Sequence, residues 1–185
     1  MARGLALTFF LAGCATTPPA PTPPPDPQTL MPALEQRIAL LVEEEREKAD
    51  ARAKPLAIDP ELTRIARERS TDMARKNYFA HAAPDGKTSA SLLMDEDPRF
   101  QGLLGENLAA EHFVKSVALD VKAMARAIVD QWLNSPKHRE NLTLADYGLT
   151  GVGAAANGDT IYVTELFAAG LALDETGKAA PDDPK

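Results

Sequence analysis

From residue 30 onward, apolar side chains recur every three or four positions: Leu34, Ile38, Leu41 and Val42 share one side, with Glu43, Glu44, Glu45 and Arg46 beside them. That spacing predicts an amphipathic helix over residues 30–51, with the charged run as its wet face. Asp59-Pro60 predicts the start of a second helix, because an Asp side chain accepts free amide hydrogens and proline fits the first turn. Leu62, Ile65, Ala66, Arg69 and Met73 continue along one side, and this helix should stop near Asn77. A third run of Val117, Val121, Met124, Ala125, Ile128, Val129 and Trp132 predicts a helix capped by Ser116 and interrupted at Ser135-Pro136, with Trp132 in the core. Residues 151–156 and 160–167 read as strands flanking Asn157-Gly158, a pair suited to the positive backbone angles of a tight hairpin. Helices first and a hairpin last predict an α+β domain rather than a Rossmann type.

The first 28 residues break this pattern. Residues 1–13 read as an export signal: Arg3 supplies the positive start and residues 5–11 an apolar run too short to span a bilayer. Leu11-Ala12-Gly13-Cys14 resembles a lipobox, in which small residues precede the cut and the cysteine thiol receives lipid; the alternative is an incidental thiol in an ordinary signal peptide. Residues 16–27 (TTPPAPTPPPDP) cannot form a regular hydrogen-bonded ladder. Extended at about 3.1 Å per residue, this run makes a stiff spacer of roughly 30 Å. The expected organisation is therefore a signal peptide (1–13), a lipidated Cys14 with a proline-rich tether (14–28), one folded domain (29–170) and a fraying tail (171–185). The location that follows is extracytoplasmic, with the membrane as partner through a lipid anchor. Ala15 after the cysteine resembles the pattern sorted to the outer membrane in bacteria that have two membranes.

Charge and cysteine content narrow the partners. The formal net charge is −7, and loss of Arg3 with the leader makes it one unit more negative. Such a surface repels phosphate backbones and anionic head groups, which argues against nucleic acid. Cys14 is the only cysteine, so the folded part holds neither a disulfide framework nor a cysteine-based zinc site.

Two of the three histidines sit beside turn-forming residues and read as loop positions: His81 in Tyr78-Phe79-Ala80-His81 ahead of Pro84-Asp85-Gly86, and His138 after Ser135-Pro136-Lys137. Gly105-Glu106-Asn107 lies between them. Singly, each has a structural explanation: Asn107 can bond loop backbone, His81 can pin the loop after the second helix, and Arg139 can pair with an acid. In order, together with Leu41 through Arg46, Asp59-Pro60-Glu61-Leu62, Trp132 through Arg139 with Asn141-Leu142, Gly151-Val152-Gly153 and the closing Leu166-Phe167, they resemble the bacterial branch of the CAP superfamily. That superfamily comprises cysteine-rich secretory proteins, antigen 5 and pathogenesis-related proteins, and the resemblance runs over about residues 34–169. It implies an α-β-α sandwich with a small antiparallel sheet between helices (SCP-like fold), and a cleft in which His81, Glu106, Asn107 and His138 stand at matching positions. Two neutral imidazoles and a carboxylate are a facial donor set suited to zinc or another divalent cation. The chain departs from the family pattern at Ser135, where the animal and plant branch has a second glutamate. Glu165, on one strand face with Ile161, Val163 and Phe167 by alternation, is the candidate replacement. Glu43 stands where relatives commonly have Asn. His112 lacks a matching position and is read as a surface residue.

Three functions are compatible with these residues. The first is a binding module whose His/Glu cleft holds a lipid, peptide or cell-envelope ligand. The second is a divalent-metal-assisted hydrolase with Glu106 as ligand or general base. The third is a structural envelope protein whose polar cleft only stabilises the fold. No HExxH helix, serine nucleophile elbow or catalytic cysteine adds weight to the second.

Overall fold

The computed structural model describes residues 23–170. The expectations for the export signal, Cys14, most of the tether and the tail fall outside the described residues. A 3-10 turn, Pro27–Leu30, leads into helix α1, Met31–Ala49, which buries Met31, Leu34, Ile38, Leu41 and Val42 as the periodicity requires. Its charged run is not uniformly wet. Arg46 is 1% exposed, and its guanidinium donates to the carbonyls of Lys54 (3.2 Å), Leu142 (2.9 Å), Leu144 (2.8 Å) and Tyr147 (3.0 Å). A guanidinium can occupy the interior here because its fork of donors is met by carbonyls that no helix or strand satisfies.

Helix α2, Pro60–Lys76, starts and stops where its signals lie. Asp59 accepts from the Leu62 amide at 2.8 Å, and Asn77 closes the helix in the left-handed conformation at φ 54°. A capping box formed by Thr88 and Ser91 opens a short helix, α3, Ser89–Glu96, which no apolar periodicity announces. Helix α4, Val121–Asn134, begins later than predicted. Asp120, not Ser116, is the cap, accepting from the Lys122 and Ala123 amides, and Val117 is left 62% exposed in a loop. A carboxylate satisfying two terminal amides at the positive end of the helix dipole outcompetes a neutral serine four residues earlier. Pro136 holds Ser135 extended and ends α4, yet it also opens helix α5, Pro136–Thr143. His138 therefore lies on a helix, not in a loop.

Four strands complete the domain: β1 (Ala57–Ile58), β2 (Gly102–His112), β3 (Leu149–Asn157) and β4 (Thr160–Gly170), in the order β1-β3-β4-β2. Only the two-residue β1 is parallel to its neighbour. The β3–β4 hairpin turns on Gly158-Asp159, one residue beyond the predicted pair: Gly158 takes φ 65°, while Asn157 still pairs with Thr160 and donates to the Ala74 carbonyl at 2.7 Å. Alternation along β4 divides the core. Ile161, Val163 and Phe167 pack with α1, α4 and α5, while Leu166 and Ala168 pack with α2 and α3. The expected sandwich of a sheet between helices is what forms. On its α2 side, Gly151 and Gly153 let the helix backbone rest on β3, because a Cβ at either would collide with the amides of Thr63 or Arg67.

Candidate functional site

β2 is an edge strand, and the predicted site residues gather along it. Glu106 projects from this strand with its side chain 12% exposed. One oxygen meets His81 Nδ1 at 2.5 Å and the other accepts a short hydrogen bond from the Ser89 hydroxyl at the start of α3. With the carboxylate as acceptor, Nδ1 carries the hydrogen; Nε2 has no partner among the described residues, and the ring is 62% exposed. The loop that presents His81 is held from below by Arg69, itself 2% exposed, which donates to the carbonyls of Ala80 (2.9 Å) and His81 (3.0 Å) and to the Tyr78 hydroxyl (3.0 Å). Tyr78 in turn donates to Asp72 at 2.7 Å. An exposed imidazole is thus fixed on two sides, by a carboxylate at its ring and a guanidinium at its backbone.

Asn107, next on β2, points to the other face and is 0% exposed. Its amide donates to the His138 carbonyl at 3.0 Å and accepts from Asn141 at 3.0 Å, while Asn141 also donates to the Glu106 carbonyl at 3.2 Å. Asn107 is a brace between β2 and α5 and does not face a ligand. His138 is half-buried, and its Nδ1 is buried without a hydrogen-bond partner. Burial, and after it the nearness of His81, lower its pKa below the ordinary histidine value, so its ring is neutral at pH 7.

Glu165 takes a different place. It pairs in register with Asn107 on β2 and with Val152 on β3, on the predicted face, but it is 0% exposed. The Thr150 hydroxyl lies 3.2 Å from one of its oxygens and 2.9 Å from the Leu166 carbonyl, and the other carboxyl oxygen has no partner. Burial pushes its pKa up to about 8, against the pull of the Thr150 hydrogen bond and the Arg46 charge. Among the described residues, no three His, Cys, Asp or Glu side chains gather at metal-ligand spacing. The predicted set of His81, Glu106 and His138, with or without Glu165, is therefore not assembled. Glu106 is engaged by His81 and Ser89 and Glu165 belongs to the core, while His81 Nε2 stays open at this edge.

Other departures are smaller. Arg139 donates to the Leu133 carbonyl at 2.5 Å rather than pairing with an acid. Glu43 accepts from the Leu56 amide at 3.1 Å, so a carboxylate fixes the loop before β1. Trp132 is fully buried, its indole donating to the Leu108 carbonyl at 2.9 Å, and His112 lies at the surface beside Thr160, both as expected. Nothing local in the sequence marks Ser89 and Arg69 for the site, since each acts through a partner outside its own element.

The site is an open shelf. A groove of about 380 Å³ lies apart from it, between α1 and α2, walled by Leu40, Leu56, Ile58 and Val152, and another of about 390 Å³ follows α2 past Arg75 and Lys87. On the shelf, an imidazole whose Nδ1 carries the hydrogen offers its free Nε2 as an acceptor to a polar ligand. Ser89 is not poised as a nucleophile, because its hydroxyl lies on the carboxylate and not on an imidazole nitrogen.

The chain matches the sequence profile of CAP, the Cysteine-rich secretory protein family, over residues 40–168. It is 30% identical over 126 residues to the Uncharacterized protein YkwD of Bacillus subtilis (strain 168), a match that covers 68% of this chain and 44% of the relative. Among solved structures it resembles an extracellular protein containing a SCP domain from Bacillus anthracis str. Ames, at 30% identity and a TM-score of 0.60, over 81% of this chain and 45% of that one. It also resembles an outer surface protein from Borrelia burgdorferi, at 22% identity and a TM-score of 0.62, over 75% of this chain and 93% of that one; this last likeness shows the fold. The chain spans less than half the length of the two Bacillus relatives. The profile covers most of the chain and the bacterial relatives share its sandwich, so the chain belongs to the CAP family and is of bacterial type.

Proposed function

We propose that the chain is an extracytoplasmic binding module, anchored to the membrane through Cys14, whose shelf at the edge of β2 holds a polar group of a cell-envelope ligand. The observation that carries this reading is the clamped, exposed imidazole: His81 is fixed by Glu106 and by Arg69 under its loop, yet keeps Nε2 free. Ordering a side chain costs conformational entropy, and a histidine already held by a carboxylate binds without that further cost. The Bacillus anthracis relative described as an extracellular protein lends support to the location. No helix among the described residues is long and apolar enough to cross a membrane. A metal-assisted hydrolase finds less support, because its donor set is not assembled among the described residues.

Native mass spectrometry of the chain purified from envelopes tests the proposal. The unaltered protein should carry a bound component, and His81→Ala and Glu106→Gln should each deplete it at least tenfold while the thermal midpoint of His81→Ala stays within a few degrees. An unaltered protein that arrives without any adduct would sink the binding reading. Retention of the adduct in both variants would move the site elsewhere.

A further inference from the structure

Leu40 and Ile58 wall the groove between α1 and α2, while Phe79, Met94 and Leu103, on different elements, stand singly. Val114 and Val117 do not. They are 66% and 62% exposed, and the Val117 amide donates to the Val114 carbonyl at 3.0 Å, so one turn presents both. Their segment, residues 113–119 (FVKSVAL), has five apolar residues, one cation and no acid, in a chain of net charge −7. Phe113 and Leu119 root it on the core, and the Phe113 amide donates to the Asp159 carbonyl at 2.9 Å. Pro24, Pro25 and Pro27 share one hollow with Phe113, Lys115 and Val117. The proline-rich segment therefore joins the domain directly beside the valines. Pro24 lies ten positions after Cys14, about 31 Å when extended.

We propose that residues 113–119 are the face on which the domain rests against a bilayer, with Val114 and Val117 at the acyl boundary and Lys115 among the head groups. This rests on the anchoring reading above. Two valines bind a bilayer weakly, but a short tether keeps the surface at an effective concentration of roughly millimolar, which is enough to favour repeated contact. The contact would also orient the shelf. Glu106 lies six residues up β2 from His112, roughly 20 Å at a strand's rise, so His81 would face outward above the head groups and not into them.

The test attaches the chain from Cys14 onward, through its single thiol, to phosphatidylcholine vesicles that carry a maleimide lipid and brominated acyl chains. Because the link is chemical, the outcome is independent of whether a cell acylates Cys14. Val117→Trp reports on the loop and Leu103→Trp on the opposite end of β2. Trp132, being fully buried, supplies a background read from the unaltered chain. Bromine quenching at position 117 should exceed that at 103 at least threefold, and adding Val114→Asp to Val117→Trp should bring it down to the level at 103. Equal quenching at the two positions overturns the proposal. So does an unquenched position 117 in a chain that sediments as a dimer, which would assign the valines to a second copy.

Discussion

Glu165 places a carboxyl group in the interior, on a central strand of the sheet. Glu165 lies on the sheet face that packs on α1 and α4, with Thr150 and the Arg46 charge near it, and burial holds its pKa near 8, far above the ordinary value of 4.5. Between those values the unfolded chain loses this proton while the folded one keeps it. The stability due to this group is thus fully present below about pH 4.5 and is lost as pH rises towards 8, at about 1.4 kcal/mol per pH unit. Glu165→Gln removes the titration and keeps the Thr150 hydrogen bond. Urea denaturation at pH 5, 6, 7 and 8 should show the variant gaining on the unaltered protein with each step. Parallel curves would mean that Arg46 and Thr150 hold the carboxylate charged throughout. His81 shows the opposite arrangement: its ring is exposed and its partners keep it oriented, so the two acids the sequence brought forward divide between shelf and core.

At the scale of elements, the clearest dependence is the seating of α2 on β3. Gly153 has no Cβ because the backbone at Ala66 and Arg67 occupies that place. Gly153→Ala should cost about 3 kcal/mol through overpacking, whereas Gly148→Ala, with no atom near its Cβ position, should change stability little. Chemical denaturation of the pair side by side checks this, and equal small losses would show that α2 shifts freely. Helix α2 is legible from residues alone, since cap, periodicity and stop agree, and α1 is legible from its periodicity. β2 is not. Its Gly105-Glu106-Asn107 interrupts the apolar alternation because Glu106 serves the shelf and Asn107 braces α5, so the strand most important to the site is the one whose pattern its own task erases.

For the whole molecule, the sandwich places α2 and α3 behind one face of β2 and α5 behind the other, which is how His81 and His138 approach a single edge. The proposed anchoring is tested through Cys14. Expressed with its own leader, the unaltered chain should partition with membranes and show an acylated cysteine by mass spectrometry, whereas Cys14→Ser should be recovered in the soluble extracytoplasmic fraction. Equal membrane association of both would remove the anchor. By itself the sequence determined the two long helices and the cap of α2, the closing hairpin, the burial of Trp132 and the family, because these are written in local periodicity, turn chemistry and ordered motifs. Only the tertiary structure decided that Glu165 and Arg46 are interior, that Asn107 is a brace, that Ser89 and Arg69 serve the shelf, and that no metal set assembles among the described residues. Those outcomes depend on which face of a strand meets which helix, and residues dozens of positions apart settle that through packing and hydrogen bonding.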